Sequence, residues 1–166
     1  MMTSYIKELA DSLKKKFNSN NPFIIAKGLN VNVKMKELPE LKGFYTINQR
    51  NRFIIVNSKL DATMIKIVLA HELGHDQLHR GIMDFFTETN IYTLTNQTEF
   101  EANLFAAELL VDDEEVINVL KSGYDFFTTA KMLYIDKNLL SIKLQAMNNR
   151  GYELNIPIGY KKGFLR

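Results

Sequence analysis

The chain contains no cysteine, which rules out a disulfide framework and a thiolate metal site; any metal must be held by histidine and carboxylate. No stretch approaches the ~20 uninterrupted apolar residues that a membrane-spanning helix needs. The start, Met1-Met2-Thr3-Ser4-Tyr5-Ile6-Lys7-Glu8, has no apolar leader segment, so the expectation is a cytoplasmic protein with no membrane partner. Dense basic clusters are missing too. Residues 121–166 carry eight Lys and Arg against three acids, which falls short of a nucleic-acid surface, and no direct nucleic-acid partner is expected. Between 81 and 120 there is no Lys or Arg, only Asp84, Glu88, Glu99, Glu101, Glu108, Asp112, Asp113, Glu114 and Glu115. The plain reading of such a block is a set of solvated helix ends. Histidine is scarce as well: there are three, His71, His75 and His79.

What is present suffices for one domain over 1–166, with 46% hydrophobic and 24% charged residues in a chain of 166. Tyr5, Ile6, Leu9, Leu13 and Phe17 recur at helical spacing, predicting an amphipathic helix over 4–17 that stops at Asn18-Ser19-Asn20-Asn21. Asn21-Pro22 reads as a cap followed by proline in the first turn of a short helix ending near Gly28. Alternation over 31–36, and the segments 44–47 and 52–57 joined at Asn48-Gln49-Arg50-Asn51, predict three antiparallel strands. Asp61 can cap a helix reaching Gly81 that carries all three histidines. Residues 82–95 show no period and suggest a loop. Further helices are expected over 97–111, 112–121, 125–134 and 136–149, the last three each opened by an aspartate, and 152–156 alternates like an edge strand before Pro157.

The chemistry concentrates in His71-Glu72-Leu73-Gly74-His75. Histidines four apart on a helix lie one turn above each other, so His71 and His75 can direct ring nitrogens at one ion about 2.1 Å away. Glu72, rotated ~100° from His71, flanks the metal and can take a proton from water as the catalytic base. Two ordinary helix histidines are the bland alternative. Gly74 argues against it, because glycine inside a helix costs ~1 kcal/mol relative to alanine and marks a close approach.

A third ligand is needed. His79 continues the spacing but lies eight residues from His71, ~12 Å along a straight helix, whereas two ligands of one tetrahedral ion have donors ~3.4 Å apart. It reads instead as a hydrogen-bonding residue behind the site or a helix-end histidine. Glu99, Glu101 and Glu108 remain. Glu101 and Glu108 share a face with Phe105, while Glu99 points nearly the opposite way, and only one face can see the metal. Thr98-x-x-Glu101 and Asn96-x-x-Glu99 are both possible capping boxes. Helical geometry alone leaves Glu99 and Glu101 open.

Ala70-His71-Glu72-Leu73-Gly74-His75 with Leu78-His79, followed by Glu99-Phe100-Glu101-Ala102-Asn103-Leu104-Phe105-Ala106-Ala107-Glu108-Leu109-Leu110, resembles the ImmA/IrrE metallopeptidases of bacteria and their phages and mobile elements. Asn21-Pro22, Leu41-Lys42-Gly43-Phe44-Tyr45 and Ile54-Ile55-Val56-Asn57 look like that family's lead-in, so the resemblance spans about 20–111, leaving 112–166 as a C-terminal helical extension. It implies an α+β, zincin-like fold, a small antiparallel three-stranded sheet packed on the active-site helix, with Glu101, just before Ala-Asn, as the third ligand. It also implies a gluzincin-like metalloendopeptidase that cleaves a helix-turn-helix repressor to release phage, mobile-element or stress genes. Zinc is the expected ion, with Mn2+ and Fe2+ also suited to two histidines and a carboxylate. The family's usual Met-Pro after Leu-Leu is replaced here by Val111-Asp112, which bears on the start of the next helix. By analogy with zincins, 52–57 is the expected edge strand for an extended substrate.

A rival reading rests on Ala130-x-x-Leu133-x-Ile135-Asp136-x-x-Leu139, which loosely resembles a helix-turn-helix with Lys137, Asn138 and Lys143 on its second helix. The protein would then be a regulator that binds DNA or a repressor without proteolysis, its metal site vestigial. Tyr134 stands where such a turn usually has glycine, and basic residues are few.

Overall fold

Asn21 caps the second helix with its side chain on the Phe23 amide at 3.0 Å and places Pro22 in the first turn, where proline's missing N–H goes unneeded. This boundary comes from a computed structural model, which describes residues 2–83 and 96–160. In chain order it has α1 (Met2–Phe17), α2 (Pro22–Gly28), β1 (Asn32–Lys36), β2 (Gly43–Asn48), β3 (Asn51–Asn57), α3 (Ala62–Leu78), α4 (Arg80–Met83), α5 (Asn96–Leu110), α6 (Asp113–Lys121), α7 (Phe126–Met132), α8 (Lys137–Asn149) and a 3-10 turn at Ile158–Tyr160. The class is α+β. The expected loop over 82–95 lies mostly outside the described residues, Ile82 and Met83 closing α4.

The sheet differs from expectation. Its order is β1-β3-β2, with β1 parallel and β2 antiparallel to β3, a mixed sheet rather than an antiparallel one. The reason is legible in β3: Ile54, Ile55 and Val56 are consecutive and all buried, the signature of a strand covered on both faces and therefore central. Exposed β1 takes one edge. The β2–β3 hairpin closes through Gln49 and Arg50, both at positive φ (48° and 64°), the twist a tight two-residue turn requires. Asn57 pins the β1–β2 crossover, its amide nitrogen donating to the carbonyls of Leu38 (2.8 Å) and Leu41 (3.0 Å). The expected strand over 152–156 forms no ladder; its start is held instead by Asn148, which accepts from the Leu154 amide at 2.8 Å and donates to the Leu154 carbonyl at 2.9 Å.

Ile6, Ala10 and Leu13 of α1, Leu104, Phe105 and Leu109 of α5, and Leu139, Leu140 and Ile142 of α8 share one core with the inner faces of the sheet and α3. Asp112 opens α6 through a capping box with Glu115, so an acidic cap starts this helix after Val111. No helix among the described residues is long and apolar enough to cross a membrane.

Candidate metal centre

Helix α3 starts at Asp61, whose side chain accepts the Met64 amide at 2.9 Å, and is buried along most of its second half. Asp76, fully buried, fixes that half to the sheet: it accepts from Arg52 of β3 at 2.7 and 3.0 Å and from Arg80 at 3.2 Å. The Arg52 guanidinium also donates to the Leu29 carbonyl beyond α2. The sequence reading gave Asp76 no role.

Gly74 marks the closest approach to α5. A Cβ built there would stand 2.9 Å from Ala102 Cα and 3.0 Å from its carbonyl oxygen. The expected close approach is thus made by a helix backbone. This contact sets how α5 lies against α3, and Glu99 and Glu101 fall on opposite sides of Ala102, since each residue turns the helix by ~100°.

Three side chains converge on the Glu99 side. His71 Nε2 and His75 Nε2 are 3.1 Å apart, Glu99 Oε1 is 3.2 Å from His75 Nε2, and Glu99 Oε2 is 3.4 Å from His71 Nε2. Among the described residues this His71, His75 and Glu99 group is the one whose ligand atoms gather as a metal requires. Donors of a tetrahedral ion with bonds near 2.1 Å stand ~3.4 Å apart, so the spacing fits. So does the chemistry: His71 Nδ1 lies 2.8 Å from Asn103 Oδ1, an acceptor, so Nδ1 carries the proton and Nε2 is a lone pair turned inward. Two imidazole lone pairs and a carboxylate at these distances are reconciled by a cation.

Electrostatics point the same way. The facing rings of His71, then His75, hold the Glu99 carboxyl far below its ordinary range despite burial, so it stays an anion. Burial pushes the His71 pKa down, but Glu99 and the nearby Glu72 charge outweigh it and raise it above the usual value. Glu72 is 8% exposed and makes no hydrogen bond among the described residues, leaving its carboxylate uncommitted beside the donor group.

Glu101 is elsewhere. It accepts from His79 Nε2 at 2.8 Å and from Gln97 at 2.9 Å, and does not join His71 and His75. The structure thus brings Glu99, not the expected Glu101, together with His71 and His75. Glu101 turns to His79 at the end of α3, on the face that also carries the wholly buried Phe105 and Glu108, while Glu99 faces His71 and His75. His79 caps α3 and lies 3.1 Å from His75 Nδ1; burial lowers its pKa, with Glu101 opposing and His75 assisting. The edge-strand expectation for 52–57 also fails, because β3 is paired on both sides; among the described residues the edges are β1 and β2, and it is β2 that packs on α3 through Gly43 and Val68. Asn103 was quoted in the sequence motif without a role. The spacing that finds it is Glu99 and Asn103 four apart on α5, matching His71 and His75 four apart on α3.

Residues 26–135 match the Peptidase M78 family, described as the IrrE N-terminal-like domain. The chain is 35% identical over 140 residues to "Uncharacterized immunity region protein 2" of Bacillus phage phi105, covering 83% of this chain and 88% of that protein. It is 26% identical over 118 residues to "Metallopeptidase ImmA" of Bacillus subtilis (strain 168), covering 69% and 70% respectively.

Proposed function

The chain belongs to the Peptidase M78 family of IrrE N-terminal-like domains, and from that premise we propose that it is a zinc-dependent endopeptidase of zincin-like build that cleaves a helix-turn-helix repressor. The observation that carries the reading is the convergence of His71, His75 and Glu99 with donor atoms 3.1 to 3.4 Å apart. These three residues hold the ion. When bound, zinc supplies Lewis acidity, polarising the scissile carbonyl and easing deprotonation of the attacking water. Glu72 takes that water's proton and returns it to the leaving amine. Substrate lies extended along the edge of β2, whose outer main-chain groups have no strand partner among the described residues and can bind a peptide as an added strand. The repressor as substrate is supported by the resemblance of the two motifs and by the phage immunity-region name of one relative.

The rival DNA-binding reading loses one of the three residues it named. Lys143 is 0% exposed and is bonded to Glu108 at 2.5 Å and to Asp113 at 2.7 Å, so it cannot reach a phosphate.

The test is incubation with zinc and a candidate helix-turn-helix repressor, followed by mass spectrometry of the products. Glu72→Gln is expected to retain zinc and lose cleavage by at least about 100-fold, the usual scale of general-base catalysis. Glu99→Ala is expected to lose both. Unimpaired cleavage by the Glu72 variant would sink the mechanism.

A further inference from the structure

His79 and Glu101 are buried beside the metal centre, their side chains 3% and 13% exposed, yet neither holds the ion nor moves the proton in the mechanism above. Polar groups taken out of water cost free energy unless hydrogen-bonded. Here they are satisfied in a single chain that ends on a ligand: Gln97 Nε2 to Glu101 Oε1 at 2.9 Å, Glu101 Oε2 to His79 Nε2 at 2.8 Å, and His79 Nδ1 to His75 Nδ1 at 3.1 Å.

The proton positions follow from one end. An ionised carboxylate only accepts, so His79 Nε2 carries a proton and donates to Glu101. In a neutral imidazole the other nitrogen is then a lone pair, so His79 Nδ1 accepts. His75 Nδ1 must therefore be the donor, which leaves His75 Nε2 as a lone pair aimed at His71 and Glu99. The two histidines are backed unequally, His71 by the neutral Asn103 amide and His75 by a chain ending in a negative charge.

We infer that His79 and Glu101 are positioning residues that act through His75, fixing its tautomer and ring direction and raising the basicity of its Nε2, so that affinity for a divalent cation depends on two side chains that do not touch it. The inference rests on His71, His75 and Glu99 being the ligands. Carboxylate and histidine partners behind metal ligands act in this way, and their removal typically costs 10–100-fold in affinity.

The experiment measures Zn2+ affinity and stoichiometry by chelator competition, and the visible absorption of the Co2+ form, for the full chain and its variants. Thermal unfolding of each metal-free variant confirms that it folds. His79→Ala and Glu101→Ala are expected to keep one ion per chain with affinity about 10- to 100-fold weaker and shifted Co2+ bands. Glu101→Gln, which retains an acceptor for His79 without the charge, should fall between these and the wild type and serves where the alanine variants fail to fold. Because the two residues act in series, the double variant should be no weaker than the worse single one. Unchanged affinity in the His79 and Glu101 variants, with binding lost in Glu99→Ala, overturns the relay alone; so do additive losses in the double variant. A wild type that takes no zinc, or a Glu99→Ala variant that binds normally while Glu101→Ala does not, overturns the ligand reading beneath it.

Discussion

Gly74 is the residue on which the metal centre's geometry turns. The space a Cβ would occupy is filled by the Ala102 backbone, which cannot move aside as a flexible side chain would. Gly74→Ala should therefore destabilise the protein by ~1–3 kcal/mol, the usual cost of overpacking, although alanine is intrinsically the better helix former by ~1 kcal/mol. Thermal unfolding checks the sign. Zinc affinity should fall as well, because pushing α5 away displaces Glu99 from His71 and His75. A stabilised variant with unaltered zinc binding would mean that the two helices are not held at this contact.

At the scale of elements, the α7–α8 connection resembles a helix-turn-helix locally without serving as one. Tyr134 sits in the turn at φ 54° and is 78% exposed. That left-handed conformation costs a non-glycine residue roughly 1–2 kcal/mol, and so exposed a ring has little packing to offset it. Tyr134→Gly is expected to raise stability by up to about 1 kcal/mol, read as a higher denaturant midpoint at unchanged slope. The helix that follows is committed to the interior: Leu139, Leu140, Ser141, Ile142, Lys143, Leu144, Ala146 and Met147 are all buried. A recognition helix needs a face left open for a groove, and of the two lysines on this one only Lys137, in the first turn, is exposed, while Lys143 faces inward.

Across the whole molecule, one ion network ties α1, α5, α6 and α8 together. Glu108 receives Lys143 at 2.5 Å and Arg150 at 2.8 Å, both cations also reach Asp113, and Lys14 donates to the Glu108 carbonyl at 2.9 Å. Removing one partner leaves a buried charge uncompensated, so Lys143→Met is expected to cost about 3–5 kcal/mol, measured by chemical denaturation. The network also sets a pH dependence. Burial works against ionisation of Asp113, but Lys143 and then Arg150 outweigh it and hold its pKa below the ordinary value. A depressed carboxyl pKa contributes stability above the unfolded value of about 3.9, and that contribution is lost as pH falls through the folded value. The stability gap between wild type and Asp113→Asn should thus be wide at neutral pH and close below about pH 4.

The linear sequence by itself determined what is set by local chemistry. Asp61, Asp125 and Asp136 each cap the helix expected after them, and His71 and His75 lie on one face of α3 because four residues make about one turn. Motif spacing likewise carried the family and its metallopeptidase character. Tertiary structure decided what depends on how two elements meet. Strand order required knowing that Ile54, Ile55 and Val56 are covered on both faces, and which glutamate meets the His71–His75 pair required knowing on which side of Ala102 those histidines lie. Glu99 and Glu101 are separated by ~200° of helix, and no local propensity prefers one face; the Gly74–Ala102 contact selects it, giving Glu99 to the histidine pair and Glu101 to His79.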